Sequence, residues 1–206
     1  MNWIVAAVLM SLGMVAGEVL KKSVDVRPEY HRKFVHISSA ICAAFLPLLL
    51  SLDQIGILGL AFTPALIAMH RQQTLKAMVS ERTTYGSIFF PLGCAAPAFL
   101  APNVSAYVAS ILVMGLADGI AGLFSASKRT RNIRTPGTIK PVTGRVVFCG
   151  IAAGVLFAVN AVVSLGVPPW GLLGIAVITS IAEAVSPYGS DNVTTSAIPA
   201  LLLRLF

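Results

Sequence analysis

The sequence predicts an all-α protein, a polytopic transmembrane helical bundle of about seven to eight spans in one integral membrane domain over residues 1–206. Hydrophobic residues make up 56% of the chain and charged residues only 11%. Apolar runs recur between short polar breaks, and a soluble domain of this length has no use for so much apolar surface. Helices are the expected spanning elements, because the short alternating segments of outer-membrane barrels do not occur.

The apolar runs divide into eight segments. We predict spans at residues 2–20, 34–52, 55–69, 87–100, 106–124, 146–165, 170–185 and 193–206. The first has no charged leader and no small-residue cleavage site, so we expect a retained helix and not a signal peptide. The third and fourth are short for a full crossing and the last is the weakest, so seven spans or re-entrant segments stay open.

The basic residues predict the orientation. The chain has 15 Lys and Arg against 8 Asp and Glu, which gives a net charge of +7. All the basic residues except Arg204 lie in alternate loops, the pattern of the positive-inside rule and not of nucleic-acid binding. We therefore expect these loops in the cytoplasm and the N-terminus outside, in a prokaryotic cell membrane.

The first candidate cluster lies in PEYHRKFVHISSA, where the second span begins. Pro28 and Glu29 suit the first turn of a helix. Arg32 and His36 are four residues apart and share a face of that helix, with Lys33 beside them. Two interpretations stay open: a phosphate-binding cluster, or a basic anchor at the lipid headgroups with a histidine that packs.

Asp118 lies inside the apolar run ILVMGLADGIAGLF. A carboxylate in hydrocarbon costs roughly 2.5–3.5 kcal/mol on insertion scales, so it usually faces a cavity, a partner or an ion. Gly115 and Gly119 form a GxxxG pair, which favours close helix packing. Packing explains the glycines but not the carboxylate, so we predict that Asp118 is a metal ligand or a base.

The loop SASKRTRNIRTPGTIKPVTGR holds six basic residues and no acidic one. Gly137 and Gly144 flank Lys140, and flexible glycines with basic side chains suit phosphate binding. The loop has no GxxxxGK[ST] motif, so it is not a Walker P-loop. Contact with anionic lipid, or the positive-inside rule alone, is the alternative.

The last candidate cluster lies near the C-terminus. Thr179 and Glu183 are four residues apart and give the seventh helix a polar stripe. Asp191 and Asn192 offer the hard oxygen ligands that Mg²⁺ prefers, although capping of the last helix would also explain them. The predicted orientation places this cluster on the same membrane side as Asp118 and the basic loops.

The order of these motifs resembles the membrane kinases that include phytol kinase and dolichol kinase. The matching residues are Arg32-Lys33-Phe34-Val35-His36, Asp118-Gly119-Ile120-Ala121, Lys140 with Gly144, and Glu183 with Asp191-Asn192-Val193-Thr194. The family usually has glutamate and serine where this chain has Thr143 and Arg145. A looser similarity links the chain to membrane cytidylyltransferases that form CDP-lipids.

The resemblance implies transfer of a phosphoryl group from a nucleoside triphosphate, commonly CTP, to the hydroxyl of a long-chain isoprenoid alcohol such as phytol or a polyprenol. On this basis we predict catalysis by Asp118, Glu183 and His36, Mg²⁺ ligation by Asp118, Asp191 and Asn192, and nucleotide binding by Arg32, Lys33, Lys140 and Gly144. The expected partners are the lipid alcohol and membrane lipids, with an active site on the cytoplasmic face.

Other functions stay open. One alternative is a cytidylyltransferase that forms a CDP-lipid, or a diacylglycerol kinase. Another is a non-enzymatic transporter with a carboxylate-lined path. A transporter predicts polar residues through the full membrane depth, whereas the outer halves of the predicted spans are nearly bare of charge.

Overall fold

The structure, a computed structural model, describes residues 2–23, 27–72, 85–127 and 142–206. These residues form nine α-helices and no strand, which confirms the all-α prediction. The helices are α1 (Asn2–Ser23), α2 (Pro28–Ala44), α3 (Leu52–Arg71), α4 (Gly86–Leu100), α5 (Val104–Leu112), α6 (Asp118–Ser127), α7 (Val142–Val163), α8 (Pro169–Val185) and α9 (Asp191–Leu202). A π-helical segment, Val113–Ala117, joins α5 to α6 in one continuous helix.

Several helices are long and apolar enough to cross a membrane. Within the described residues, four stretches satisfy this by length and composition: Asn2–Ser23, Leu52–Met69, Val104–Phe124 and Thr143–Val163. The apolar helices α4 and α8 are shorter, at 15 and 17 residues. At about 1.5 Å per residue they would cover most, but not all, of a hydrocarbon core about 30 Å thick. The larger number of spans stays a prediction.

The second predicted span, over residues 34–52, is interrupted. Helix α2 begins at Pro28, with Glu29 in its first turn, as the sequence predicted. It ends at Ala44, and a short 3₁₀ turn at Leu46–Leu48 precedes α3. Pro47 lies in that turn, and its missing N–H removes a hydrogen bond that a continued α-helix would need.

Glycines let α2 pack closely against the continuous helix of α5 and α6. A Cβ atom at Gly115 would collide with the Cβ of Ala40, and one at Gly119 would collide with the side chain of Ile37. The predicted GxxxG pair therefore lies at a helix–helix contact, where small residues allow two backbones to approach.

The core lies where α2, α4, α5, α7, α8 and α9 meet. Its large, fully buried side chains include Tyr107, Ile111, Met114, Phe148 and Leu156. Tyr107 donates its hydroxyl hydrogen to the carbonyl of Ala43 over 3.2 Å, which satisfies the polar end of a buried aromatic ring. This packing fixes the helix ends that carry the acidic residues.

Candidate functional site

Three carboxylates from three helices converge at one end of the bundle. Asp118 is the first residue of α6, Glu183 lies in the last turn of α8, and Asp191 is the first residue of α9. One carboxylate oxygen from each lies within 4.8 Å of the other two. Three carboxylate oxygens from a packed scaffold are the kind of ligand that hard cations such as Mg²⁺ take, so the cluster could hold a metal ion.

Lys33 reaches this cluster from α2. Its Nζ donates to Asp118 Oδ2 over 2.7 Å and to the Asp118 carbonyl over 3.1 Å. Only 4% of Lys33 is exposed, so it is not a headgroup anchor. A Cβ atom at Gly122 would collide with the stem of this lysine, which shows that the glycine makes room for it. The ion pair offsets part of the charge that the buried carboxylate would otherwise leave uncompensated.

His36 lies one turn further along α2 and also faces Asp118. Its Nε2 lies 3.1 Å from the Met114 carbonyl and 3.4 Å from Asp118 Oδ2. Both neighbours are acceptors, so Nε2 must carry a hydrogen. The ring also makes an edge contact with Phe90 of α4, with centroids 5.6 Å apart. His36 is therefore held in one orientation beside the carboxylate.

The π-helical segment sits immediately before Asp118. In an α-helix the N–H of Asp118 would donate to the Met114 carbonyl, four residues earlier. Here it donates to the Gly115 carbonyl, and the Met114 carbonyl lies against His36. Single π-helical turns inside α-helices are frequent at functional sites. No sequence signal had indicated this segment.

The turn before α9 places Asp191 against the start of α4. The Asn192 side chain donates from Nδ2 to the Gly86 carbonyl over 2.8 Å, and the Tyr85 N–H donates to the Tyr188 carbonyl over 3.0 Å. Gly189 has a φ of +92°, and a Cβ atom there would lie 2.6 Å from the Gly86 nitrogen. Asn192 thus ties α9 to α4, while its predicted role as a metal ligand stays a prediction.

Asp191 and Asn192 do not occupy the N-cap position of α9. Ser190 occupies the N-cap position of α9 and makes no side-chain capping bond. Asp191 Oδ1 accepts from the adjacent Asn192 N–H over 3.1 Å, and the Asp191 carbonyl accepts from Thr195 Oγ1 over 2.7 Å. The carboxylate of Asp191 is therefore not used to cap the helix in the way that a side chain at the N-cap position would be.

The remaining predicted residues lie around this cluster or outside the described residues. Arg32 is partly exposed and pairs with Glu29 over 2.7 Å, beside the start of α4. Gly144 lies in the first turn of α7 and is partly buried. Lys140 falls in a part of the chain that the structure does not describe.

Two residues beside the cluster are not given a place there by the sequence. Phe90 looked like any apolar residue of its span, and only the fold brings it against His36. The sequence groups Arg145 with the loop charges, whereas the structure places it in the first turn of α7. A signal existed for Arg145, because it stands three and seven residues before Phe148 and Ala152, the start of a buried face.

Comparison of the chain with protein-family models, curated proteins and solved structures found no match in any of the three. The chemistry of the cluster is therefore what a functional conclusion depends on.

Proposed function

We propose that the protein is a membrane-embedded lipid kinase, which transfers a phosphoryl group from a nucleoside triphosphate, CTP by preference, to the hydroxyl of a long-chain isoprenoid alcohol. One observation carries the proposal: Asp118, Glu183 and Asp191 converge within 4.8 Å at one end of a bundle of apolar helices. The carboxylates suit a metal ion with its bound phosphates, and the apolar helices around them suit the hydrocarbon tail of a lipid.

Phosphoryl transfer requires neutralised charge, in-line alignment and a group that accepts the hydroxyl proton. Asp118 and Asp191, with Asn192, would hold Mg²⁺, which when bound neutralises charge on the phosphate oxygens. Glu183 is a further oxygen ligand or the acceptor of the hydroxyl proton. It is only 5% exposed, so it lies out of bulk water.

The basic residues hold the phosphate chain. Lys33 is already in the cluster, and a phosphate oxygen would compete with Asp118 for its three donors. Arg32 stands at the partly exposed edge, where its guanidinium is available to a second phosphate. Lys140 is proposed for the same role from the sequence alone. His36 stands beside the Asp118 carboxylate, with its Nε2 held by the Met114 carbonyl and 3.4 Å from Oδ2.

The apolar tail of the alcohol reaches the site from the bilayer. Support comes from the long apolar helices and from a cleft of about 380 Å³ between α1 and α3. Apolar side chains such as Met14, Phe62 and Leu66 line this cleft, which is of a kind that accepts a hydrocarbon chain. The alternate basic loops support placing the polar end of the bundle on the cytoplasmic face.

Product analysis tests the proposal directly. Purified protein would be given Mg²⁺, CTP or ATP labelled at the γ-phosphate, and phytol, a polyprenol or diacylglycerol in separate reactions. We expect a labelled isoprenoid phosphate and a nucleoside diphosphate, with no product in EDTA. Release of pyrophosphate with formation of a CDP-lipid would instead identify a cytidylyltransferase. Phosphorylation of diacylglycerol alone would contradict the isoprenoid substrate, and no turnover of any lipid would contradict both enzymes.

A further inference from the structure

The core-facing side of α7 ends in an arginine. Phe148, Ala152 and Leu156 are fully buried and follow one another at helical spacing. Arg145 stands three residues before Phe148 and seven before Ala152, so it belongs to the same face of the helix. Side chains on a helix also lean toward its N-terminus. Arg145 therefore stands at the end of this face where α7 begins, and it is partly buried there.

That end of α7 lies beside the carboxylate cluster. Ser180 of α8 donates its hydroxyl hydrogen to the Arg145 carbonyl over 3.0 Å. Ser180 is one turn before Glu183, whose carboxylate belongs to the cluster with Asp118 and Asp191. The backbone of Arg145 is thus fixed to the helix that supplies one of the three carboxylates.

The guanidinium of Arg145 makes no ion pair within the described residues. Its Nε is shielded from solvent and makes no hydrogen bond there. A basic residue in a first turn also faces the positive end of the helix dipole. A shielded guanidinium N–H is unfavourable unless an acceptor satisfies it, and a phosphate oxygen is such an acceptor.

We infer that Arg145 binds a phosphate group of the nucleotide, an assignment that rests on the proposed function. The paired donors of a guanidinium match phosphate oxygens in a way that the point charge of a lysine does not. Arg145 would approach the phosphates from α7, opposite to Lys33 and Arg32, which come from α2. The anion would then be enclosed by basic side chains from two helices.

Nucleotide binding by detergent-purified protein tests this assignment. Labelled CTP and ATP would be titrated with Mg²⁺ into the wild-type protein and the Arg145→Gln, Arg145→Lys and Arg71→Gln variants, with elution profile as the folding check. Arg71 is the matched control, an exposed basic residue at the end of α3. We expect Arg145→Gln to weaken binding about ten- to a hundred-fold, the usual effect of losing a charge-assisted hydrogen bond. Arg145→Lys should weaken it less, and Arg71→Gln hardly at all.

The outcomes separate two failures. A wild-type protein that binds neither nucleotide would overturn the proposed function, and the assignment with it. Normal wild-type binding with unchanged affinity in Arg145→Gln, or an equal loss in Arg71→Gln, would overturn the assignment alone. If Arg145→Gln does not give a monodisperse protein, the nucleotide affinity of Arg145→Lys tests the assignment instead. A several-fold loss of affinity supports the assignment, and unchanged affinity contradicts it.

Discussion

Two apolar helices of this protein look alike in sequence and differ in their surroundings. The continuous helix of α5 and α6 and the helix α7 each have a span that is apolar and long enough to cross a membrane, and each has a GxxxG pair. In the first, 56% of the span is buried, against 22% in α7. Gly115 and Gly119 press against α2, whereas Gly150 and Gly154 have nothing within 4 Å of a Cβ position.

This difference in packing between the two glycine pairs shows that small residues permit a close helix contact without requiring one. What distinguishes the first pair is Asp118, which lies directly before Gly119 and needs a polar partner within reach. The glycines bring α2 close enough for Lys33 to donate to that carboxylate over 2.7 Å. No acidic residue accompanies the pair on α7. A carboxylate beside a GxxxG pair is therefore a better indicator of a site than the pair alone.

We expect the largest loss of activity from removing the charge of Asp118, the residue that distinguishes the continuous helix of α5 and α6 from α7. Asp118→Asn preserves shape but removes the negative charge from a proposed metal ligand, so we expect turnover to fall by about two to three orders of magnitude while the protein still folds. Initial rates of lipid phosphorylation measure the turnover, and thermal unfolding in detergent shows whether the variant is folded. The control is Asp53→Asn, an exposed carboxylate in the first turn of α3. Near-normal turnover in Asp118→Asn would remove Asp118 from the metal and base roles.

The next effect concerns the partner of that charge. Lys33→Met leaves Asp118 without its ammonium, and breaking a buried ion pair destabilises a protein by about 3–5 kcal/mol. The lysine competes with a metal ion for Oδ2, so Mg²⁺ should raise the thermal midpoint of the variant more than that of the wild type. Lys22→Met, an exposed change in the last turn of α1, serves as the control. Equal stabilisation of all three proteins by Mg²⁺ would contradict the proposed ligand role of Asp118.

The smallest change that we expect is in stability, when one glycine of each GxxxG pair is replaced by leucine. A leucine at Gly119 must displace Ile37 of α2, and overpacking of this kind costs typically about 1–3 kcal/mol. Nothing lies within 4 Å of a Cβ atom at Gly150, and the residue is exposed, so a leucine there should change the free energy of unfolding by no more than about 0.5 kcal/mol. Thermal unfolding of Gly119→Leu and Gly150→Leu, measured side by side, checks this. Equal destabilisation would show that α7 has a packing partner of its own.

The sequence allowed part of this structure to be predicted. Pro28 and Glu29 marked the start of α2 correctly, and the cost of a carboxylate in hydrocarbon singled out Asp118 before any partner was known. The pairing of Lys33 with Asp118 was not predicted, because it depends on which face of α2 meets which face of α6. The roles of Phe90 and Arg145 depend in the same way on tertiary packing, which helical spacing alone does not determine.

The π-helical segment before Asp118 has a consequence for the direction of its carboxylate. A turn that closes five residues apart holds one residue more than an α-helical turn, and each residue advances an α-helix by about 100°. If Val113–Ala117 re-formed as a regular α-helix with the same residues, Asp118 would be turned by up to about 100° relative to α5. That change of helix type would misalign the carboxylate while every side chain of the cluster remained. The wide turn is as much a requirement of the site as the identity of its residues.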